Sequence, residues 1–165
     1  CSYMNCPRDP RITFLSDGRW RSYISPRHGA ASNIAPAWVP DDRLEAWPRR
    51  ESDRPFHWDR AECRFERPFY YGRLGDHVLM FLFDTPQWLR FFCSPSGGGA
   101  SLRAGESCPA WDFEWVIPQE AYQVGRRYRF RVRMVYKPFV SEQEVAEQYR
   151  SAVREFGFET VAGGA

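Results

Sequence analysis

Short segments in which apolar and polar residues alternate are the main pattern of this chain, and they predict β-strands. The clearest case is a hairpin in which residues 11–15 and 19–24 are joined by Ser16-Asp17-Gly18. An Asp-Gly pair supplies the positive φ angles that tight hairpin turns need. We therefore expect these two segments to pair as antiparallel strands.

Residues 25–60 interrupt the alternation and are expected to form a long loop rich in proline and tryptophan. Prolines stand at positions 26, 36, 40, 48 and 55, and proline cannot donate a hydrogen bond to a strand ladder. At most one helical turn is expected there, near residues 41–46. Long ordered loops in compact domains often carry function, so this segment is the first place to search for a site.

After residue 60, strand patterns follow one another closely and are joined by short turns. Residues 77–83 are almost all apolar, as expected of a central strand buried on both faces. The other strands predicted here cover residues 62–66, 69–71, 88–93, 111–117 and 128–136. Successive strands without intervening helices predict an all-β fold, an antiparallel β-sandwich or jelly roll.

The length of 165 residues fits one domain, residues 1–165. The chain begins with cysteine and without a recognisable secretory leader, so we expect either a processed chain or a fragment of a longer protein.

An aromatic fraction of 17% places large, flat side chains in the core, and such residues favour strands over helices.

The last predicted strand separates apolar from charged side chains. Its even positions from Tyr128 to Tyr136 are apolar, whereas arginines stand at 127, 129, 131 and 133 and form what we call the arginine row. The preceding strand carries Asp112 and Glu114, which we expect to pair with the row across an exposed sheet face. The alternative is that the row binds an anion such as phosphate or an acidic sugar.

A helix is predicted over about residues 141–156. Ser141 and Glu144 have the spacing of a capping box, apolar residues follow at helical intervals, and Gly157 ends the pattern. The apolar stripe of this helix is expected to lie either on the sheet or on a partner domain or subunit.

Charge and hydropathy argue against two classes of partner. The 23 basic side chains are balanced by 21 acidic ones, so the overall positive charge of a nucleic-acid-binding protein is missing, and an arginine-dependent nucleic-acid binder is the weakest alternative. No apolar run approaches the roughly 20 residues needed to cross a bilayer, so no transmembrane segment is expected.

Five cysteines leave at least one thiol without an intrachain partner. Cys93 and Cys108 flank the turn between two predicted strands, and a disulfide between them would contribute about 3 kcal/mol. The alternative is that both are buried free thiols. The compartment stays open, with a secreted or periplasmic location slightly favoured over the cytoplasm.

The long loop also contains the best candidate site. His28 and the run His57-Trp58-Asp59-Arg60 combine titratable rings, a flat apolar face, a carboxylate and a guanidinium group. These groups suit a sugar, which is recognised by stacking and polar contacts and processed by acid–base chemistry near neutral pH. The alternative is that they anchor the loop.

Other kinds of site have little support. The three histidines are separated by 29 and 20 residues, which is not a metal-ligand spacing, and His77 at the start of a buried strand is expected to be structural. The glycine-rich run 94–99 lacks the Lys-Ser/Thr ending of a phosphate-binding loop and is expected to connect two strands. We therefore expect neither a metal nor a cofactor.

Four segments between residues 60 and 140 resemble pieces of carbohydrate-active β-sandwiches, particularly galactose-mutarotase-like domains. They are Phe69-Tyr70-Tyr71-Gly72-Arg73, the apolar strand from His77, the glycine-rich run and Trp111-Asp112-Phe113-Glu114-Trp115. The resemblance implies a concave sheet face that presents His28, His57, Arg73 and Glu114 to a sugar. The chain is shorter than such a domain, which fits an accessory module or a piece of a larger enzyme.

The sequence thus leads to a carbohydrate-associated β-sandwich domain that binds a sugar or helps to process it. If it is catalytic, His57 or His28 is the expected acid–base group, with Glu114 or Asp59 as its carboxylate partner. The expected ligand contacts are Trp58, Arg73, Trp38, Arg60 and Tyr71. The alternative is a non-catalytic structural or assembly domain of a larger protein.

Overall fold

A computed structural model describes residues 2–5, 7–26, 33–40, 62–98, 108–117 and 119–157. Within these ranges the chain is mostly β, with one α-helix after the last strand. The strands are β1 (Ser2–Asn5), β2 (Ile12–Ser16), β3 (Arg19–Tyr23), β4 (Asn33–Ile34), β5 (Phe69–Leu74), β6 (His77–Phe83), β7 (Leu89–Gly98), β8 (Cys108–Trp115) and β9 (Val132–Pro138). Helix α1 spans Glu142–Phe156, and a short 3-10 helix spans Gln119–Ala121.

The strands form two antiparallel sheets. A four-stranded sheet has the order β1-β8-β7-β4, and a five-stranded sheet has the order β3-β2-β5-β6-β9. This confirms the prediction of a mostly antiparallel β fold with one closing helix. None of the described helices is long and apolar enough to span a membrane.

The predicted hairpin is confirmed. Ser16 of β2 pairs with Arg19 of β3, and the two residues between them both have positive φ angles, 52° at Asp17 and 71° at Gly18. Two successive positive φ angles define the tight turn whose twist matches that of the flanking strands. The Asp-Gly pair therefore sets the register of this ladder.

The apolar faces of the two sheets share one core, which is heavily aromatic. Phe91 of β7 stacks on Phe83 of β6 with ring centroids 5.4 Å apart, and Tyr70 of β5 meets Phe91 edge-on at 4.9 Å. Trp111 of β8 is fully buried in the same cluster. Its indole lies against the backbone of Gly72 in β5, so close that a Cβ atom there would stand 2.1 Å from the ring. Only glycine fits at position 72.

The outer face of the five-stranded sheet is covered by helix α1. Val145, Tyr149 and Ala152 of the helix are buried against Val78, Met80 and other apolar residues of β5 and β6. β6 is therefore buried on both faces, as predicted. The apolar stripe of the helix lies on the sheet of its own chain, which decides between the two expectations for it.

The helix ends follow the sequence signals. The Ser141 hydroxyl accepts a hydrogen bond from the Glu144 amide at 3.2 Å, and Gly157 closes the helix with a φ of 61°. The Glu144 carboxylate accepts hydrogen bonds from Lys137 and Gln148. Of the two hydrogen bonds of a capping box, the described contacts therefore include the one from the Glu144 amide to the Ser141 hydroxyl but not one from the Ser141 amide to the Glu144 carboxylate.

The long-loop prediction is wrong at residues 33–34, which form β4 and pair with Phe91 and Phe92 of β7. A two-residue strand carries too little alternation to be recognised in sequence. Pro36 forms an isolated bridge with Phe65, which replaces the strand predicted over residues 62–66. The rest of the predicted loop, residues 27–32 and 41–60, lies outside the described residues.

The last strand is shorter than predicted, and its two faces have exchanged environments. β9 begins at Val132, and the side chains of Met134 and Tyr136 are 67% and 62% exposed. Arg133 and Lys137, on the opposite face, lie half-buried beside the helix. The prediction that the arginine face is the exposed outer face is wrong here, because α1 covers that side of the sheet.

The cysteine pairing predicted as one of two alternatives is also wrong. β7 and β8 are antiparallel neighbours as expected, but the register places Cys93 opposite Trp111 and Cys108 opposite Gly98. Cys93 and Cys63 are free thiols buried in the core between the sheets. Cys108 is disulfide-bonded, so its partner lies outside the described residues.

Candidate functional site

The structure describes four of the nine predicted site residues: Trp38, Tyr71, Arg73 and Glu114. The others, His28, His57, Trp58, Asp59 and Arg60, lie outside the described residues. The four described residues stand at three separate places in the fold.

Glu114 lies on β8, on the face of the four-stranded sheet that points away from the shared core, since its neighbour Phe113 belongs to that core. Its register partner on β7 is Arg90, which is only 1% exposed. Burial lowers the pKa of Arg90 to about 9, and the nearby Glu114 carboxylate acts in the opposite direction. A buried arginine beside a carboxylate is a common structural arrangement, so this pair does not by itself identify an active site.

Trp38 packs against the core. Its ring meets Phe65 edge-on at 5.3 Å, and Phe65 stacks on Phe91 at 4.0 Å. A tryptophan that presents its edge to a buried phenylalanine anchors the segment after β4 to the sheets.

Tyr71 lies on β5, on the face that packs against α1, and is almost fully buried. Its ring stacks on Phe139 at 5.9 Å. Burial, reinforced by the Glu142 carboxylate, raises the pKa of Tyr71 to about 12. Tyr71 therefore stays protonated at neutral pH and serves to support Phe139.

Arg73 lies two residues further along the same face. Its guanidinium carbon stands 4.0 Å above the centre of the Phe139 ring, a cation–π contact, and Nη2 donates a hydrogen bond to the carbonyl of Gly75 at 3.3 Å. Its Nε is buried and donates no hydrogen bond. These contacts hold the guanidinium plane in one orientation.

An open cavity of about 650 Å³ lies beside Arg73, and we call it the arginine pocket. Its lining residues are Arg8, Asp9, Pro10, Arg11, Ile24, Arg73 and Gly75. Glu114 and Trp38 do not line it. The structure therefore does not bring Arg73 and Glu114 together on one sheet face, in contrast to the arrangement that the resemblance implies.

The strand order explains why these residues meet. β2 lies between β3 and β5, and both neighbours run antiparallel to it. The residues that precede β2 therefore stand beside the ends of β3 and β5. Arg11, Ile24 and Arg73 come together at this end of the sheet.

An ion pair orders one wall of the pocket. Arg11 Nε and Nη2 each donate to the Asp9 carboxylate at 2.8 Å, and the Arg11 amide donates to the same carboxylate at 3.1 Å. These contacts lower the pKa of Asp9, with the Arg11 side chain as the largest cause and the charge of Arg73 as a smaller one. Asp9 is therefore ionised at neutral pH, and its carboxylate is engaged by Arg11.

Arg73 is a predicted site residue, whereas Arg8, Asp9 and Arg11 are not predicted from the sequence. The run Arg8-Asp9-Pro10-Arg11 directly before β2 is a visible local cluster of charge, but nothing in the sequence says which strand end it adjoins. The described residues contain no group of three or more histidine, cysteine or acidic side chains that could hold a metal ion. His77 is half-buried with its ring stacked on Tyr136 at 5.0 Å.

The arginine row does not have the partners predicted for it. β9 pairs with β6, whereas Asp112 and Glu114 belong to the other sheet. Arg131 instead pairs with Asp84 at 2.6 Å, and Arg133 pairs with Glu155 of α1 at 3.0 Å. Two members of the row are thus engaged in ion pairs, so the row does not form a continuous anion-binding surface.

Among the described residues, the arginine pocket is therefore the candidate functional site. The chain matches no protein-family model, no curated protein and no solved structure.

Proposed function

We propose that this chain is a carbohydrate-associated β-sandwich domain of jelly-roll type, and that it binds a sugar in the arginine pocket. The observation that carries the proposal is the cavity of about 650 Å³ beside Arg73, one of the residues that the sequence analysis assigned to ligand binding. A cavity of this volume falls in the range of small-molecule sites, roughly 300–1,000 Å³.

The sandwich class is supported by the core that the two antiparallel sheets share. Sheets that pack through a common aromatic core present loops and strand ends at their margins, which is where β-sandwich domains commonly place their ligands. The arginine pocket lies at such a margin, at the start of β2 and the end of β5.

The side chains of the pocket suit hydroxyl-rich ligands. Guanidinium groups donate several hydrogen bonds in a fixed plane, and the apolar wall formed by Pro10 and Ile24 can pack against the face of a pyranose ring. Arg73 is held in position by Phe139, so little side-chain entropy is lost when it binds.

The role we propose is binding rather than catalysis. The one carboxylate of the pocket is Asp9, and its ion pair with Arg11 keeps its pKa low. A carboxylate with a lowered pKa is a poor general acid near neutral pH. The catalytic pairing of His57 or His28 with Glu114 or Asp59 stays a prediction.

The proposal is tested by measuring retention of the chain on an array of neutral and acidic glycans. Arg73→Gln should weaken binding to the retained glycans about 10-fold or more, because it removes charge-assisted hydrogen bonds. Arg127→Gln is the matched control, since it removes one exposed arginine far along the chain from the pocket. Equal loss in both variants would overturn the proposal, as would the absence of binding to every one of these sugars in solution at concentrations up to about 50 mM, since millimolar affinity is too weak for retention on an array.

The second candidate is the assembly domain, favoured by the exposed apolar side chains of Met134 and Tyr136 on the edge strand β9. Exposed apolar residues beside an open strand edge are suited to pairing with a second copy of the chain. This candidate predicts a dimer by light scattering that Tyr136→Lys converts to a monomer. A wild-type chain that is monomeric at all accessible concentrations would exclude it.

A further inference from the structure

The balance of charge in the arginine pocket points to the kind of sugar that it takes. The described residues that line it contribute three guanidinium groups and one carboxylate. We propose that the ligand is an anionic sugar, a pyranose that carries a carboxylate or a sulfate group, and that Arg73 and Arg8 bind this group. The inference rests on the proposed function, because it specifies the ligand of the same pocket.

Asp9 has little acceptor capacity left for a neutral sugar, because three of the roughly four acceptor sites of its carboxylate are already used. Both of its oxygens already accept hydrogen bonds from the Arg11 side chain, at 2.8 Å each, and one also accepts from the Arg11 amide. The same ion pair occupies Nε and Nη2 of Arg11. Arg8 and Arg73 are thus left as the two cations of the pocket that pair with no carboxylate among the described residues.

The positive charge of the Arg73 guanidinium group is only partly compensated by the groups around it. Among the described residues, its one hydrogen bond runs from Nη2 to the Gly75 carbonyl at 3.3 Å, and its buried Nε meets no acceptor. One face of the guanidinium group is covered by Phe139. A partly desolvated guanidinium gains more from a nearby anion than an exposed one does, because less water screens the attraction. A hydroxyl of a neutral sugar would not supply this compensation.

The geometry is also suited to a planar or tetrahedral oxyanion. Arg73 is fixed in orientation by the cation–π contact, and Arg8 is an exposed residue that lines the same pocket. Two guanidinium groups that line one pocket can bind two oxygens of the same anionic group. Carboxylate and sulfate groups share this chemistry, and titrations with glucuronate and with glucose 6-sulfate distinguish them.

The experiment follows backbone amide shifts by NMR while glucuronate, glucose 6-sulfate, glucose or acetate is added to the full chain. Titration to about 50 mM is appropriate, because a few charged hydrogen bonds give millimolar affinity. We expect shifts around Arg8, Asp9 and Gly75 that saturate with an anionic sugar at least 10-fold earlier than with glucose. Arg73→Gln and Arg8→Gln should each weaken this binding about 10-fold, and Arg127→Gln should leave it unchanged.

Each outcome decides between the two proposals. If glucose binds as tightly as glucuronate and glucose 6-sulfate, the inference of an anionic ligand is wrong and the sugar-binding proposal stands. If acetate binds as tightly as the sugars, the pocket is an anion site and the sugar-binding proposal is wrong. If no compound shifts these amides, both are wrong. Thermal unfolding of the variants by circular dichroism confirms that any loss of binding occurs in a folded protein.

Discussion

Replacement of Gly72 by alanine tests the packing of the two sheets most directly. The new Cβ would stand 2.1, 2.2 and 2.5 Å from three atoms of the Trp111 ring. Ordinary carbon–carbon contacts are about 3.5–4.0 Å, so the indole would have to withdraw by about 1.5 Å. Trp111 is fully buried within the aromatic core, so its ring can withdraw only if neighbouring core side chains also shift.

Overpacking of this kind typically costs about 1–3 kcal/mol, and the rigid, two-ring indole places this site at the upper end. Alanine regains about 0.5–1 kcal/mol over glycine through the smaller entropy of its unfolded chain. We expect Gly72→Ala to lower the free energy of unfolding by about 2 kcal/mol. In a chain of this size that corresponds to a decrease in Tm of about 4–8 °C.

The assay is urea unfolding followed by circular dichroism, with two comparison variants. Gly75→Ala adds the same methyl group into open space, at a residue whose φ is 67°. We expect it to lower the free energy of unfolding by about 1–2 kcal/mol, which is the cost of a left-handed backbone conformation for alanine. Trp111→Phe removes the outer ring, and Gly72→Ala in that background should cost much less than in the wild type. A cost that is unchanged by Trp111→Phe, or a Gly72→Ala variant as stable as the wild type, would refute the reasoning.

Two further predictions follow from the buried titratable groups. The pKa of Tyr71 and that of Tyr149 are each raised to about 12, mainly by burial, so both phenols hold their protons in the folded state after they have ionised in the unfolded chain. Stability should therefore fall as the pH rises from 10 to 12, and the raised pKa of the Cys93 thiol should start the decrease near pH 9, because this thiol ionises first in the unfolded chain. The lowered pKa of Arg90 acts in the opposite direction. Urea midpoints at pH 8, 10 and 11 check this, and Tyr71→Phe should reduce the decrease. Cys93, which is fully buried with a pKa raised to about 12, should resist maleimide at pH 7.5 until the chain unfolds, and non-reducing peptide mapping should never link it to Cys108.

Elements that depend on local sequence were predicted well. The bounds of β6, the hairpin turn and the two ends of α1 follow from signals within a few residues: an apolar run, an Asp-Gly pair, a serine N-cap and a glycine C-cap. The errors concern pairing between distant segments. The sequence predicts that Asp112 pairs with the arginine row because its predicted strand directly precedes the strand of the row, but the sheet places β9 beside β6.

The same distinction explains the candidate site. Arg73 is predicted from the sequence through the resemblance to carbohydrate-active β-sandwiches, whereas Arg8 and Arg11 acquire significance only when β2 is known to lie beside β5. Pairing of Ile12 with Gly72 brings the residue before Ile12 alongside the residue after Gly72, so two arginines are placed next to each other by register alone. Adjacent like charges are unfavourable unless an anion compensates them. Asp9 compensates Arg11 within the chain, and the remaining charge of Arg73 is the physical reason to look for a ligand at this end of the sheet.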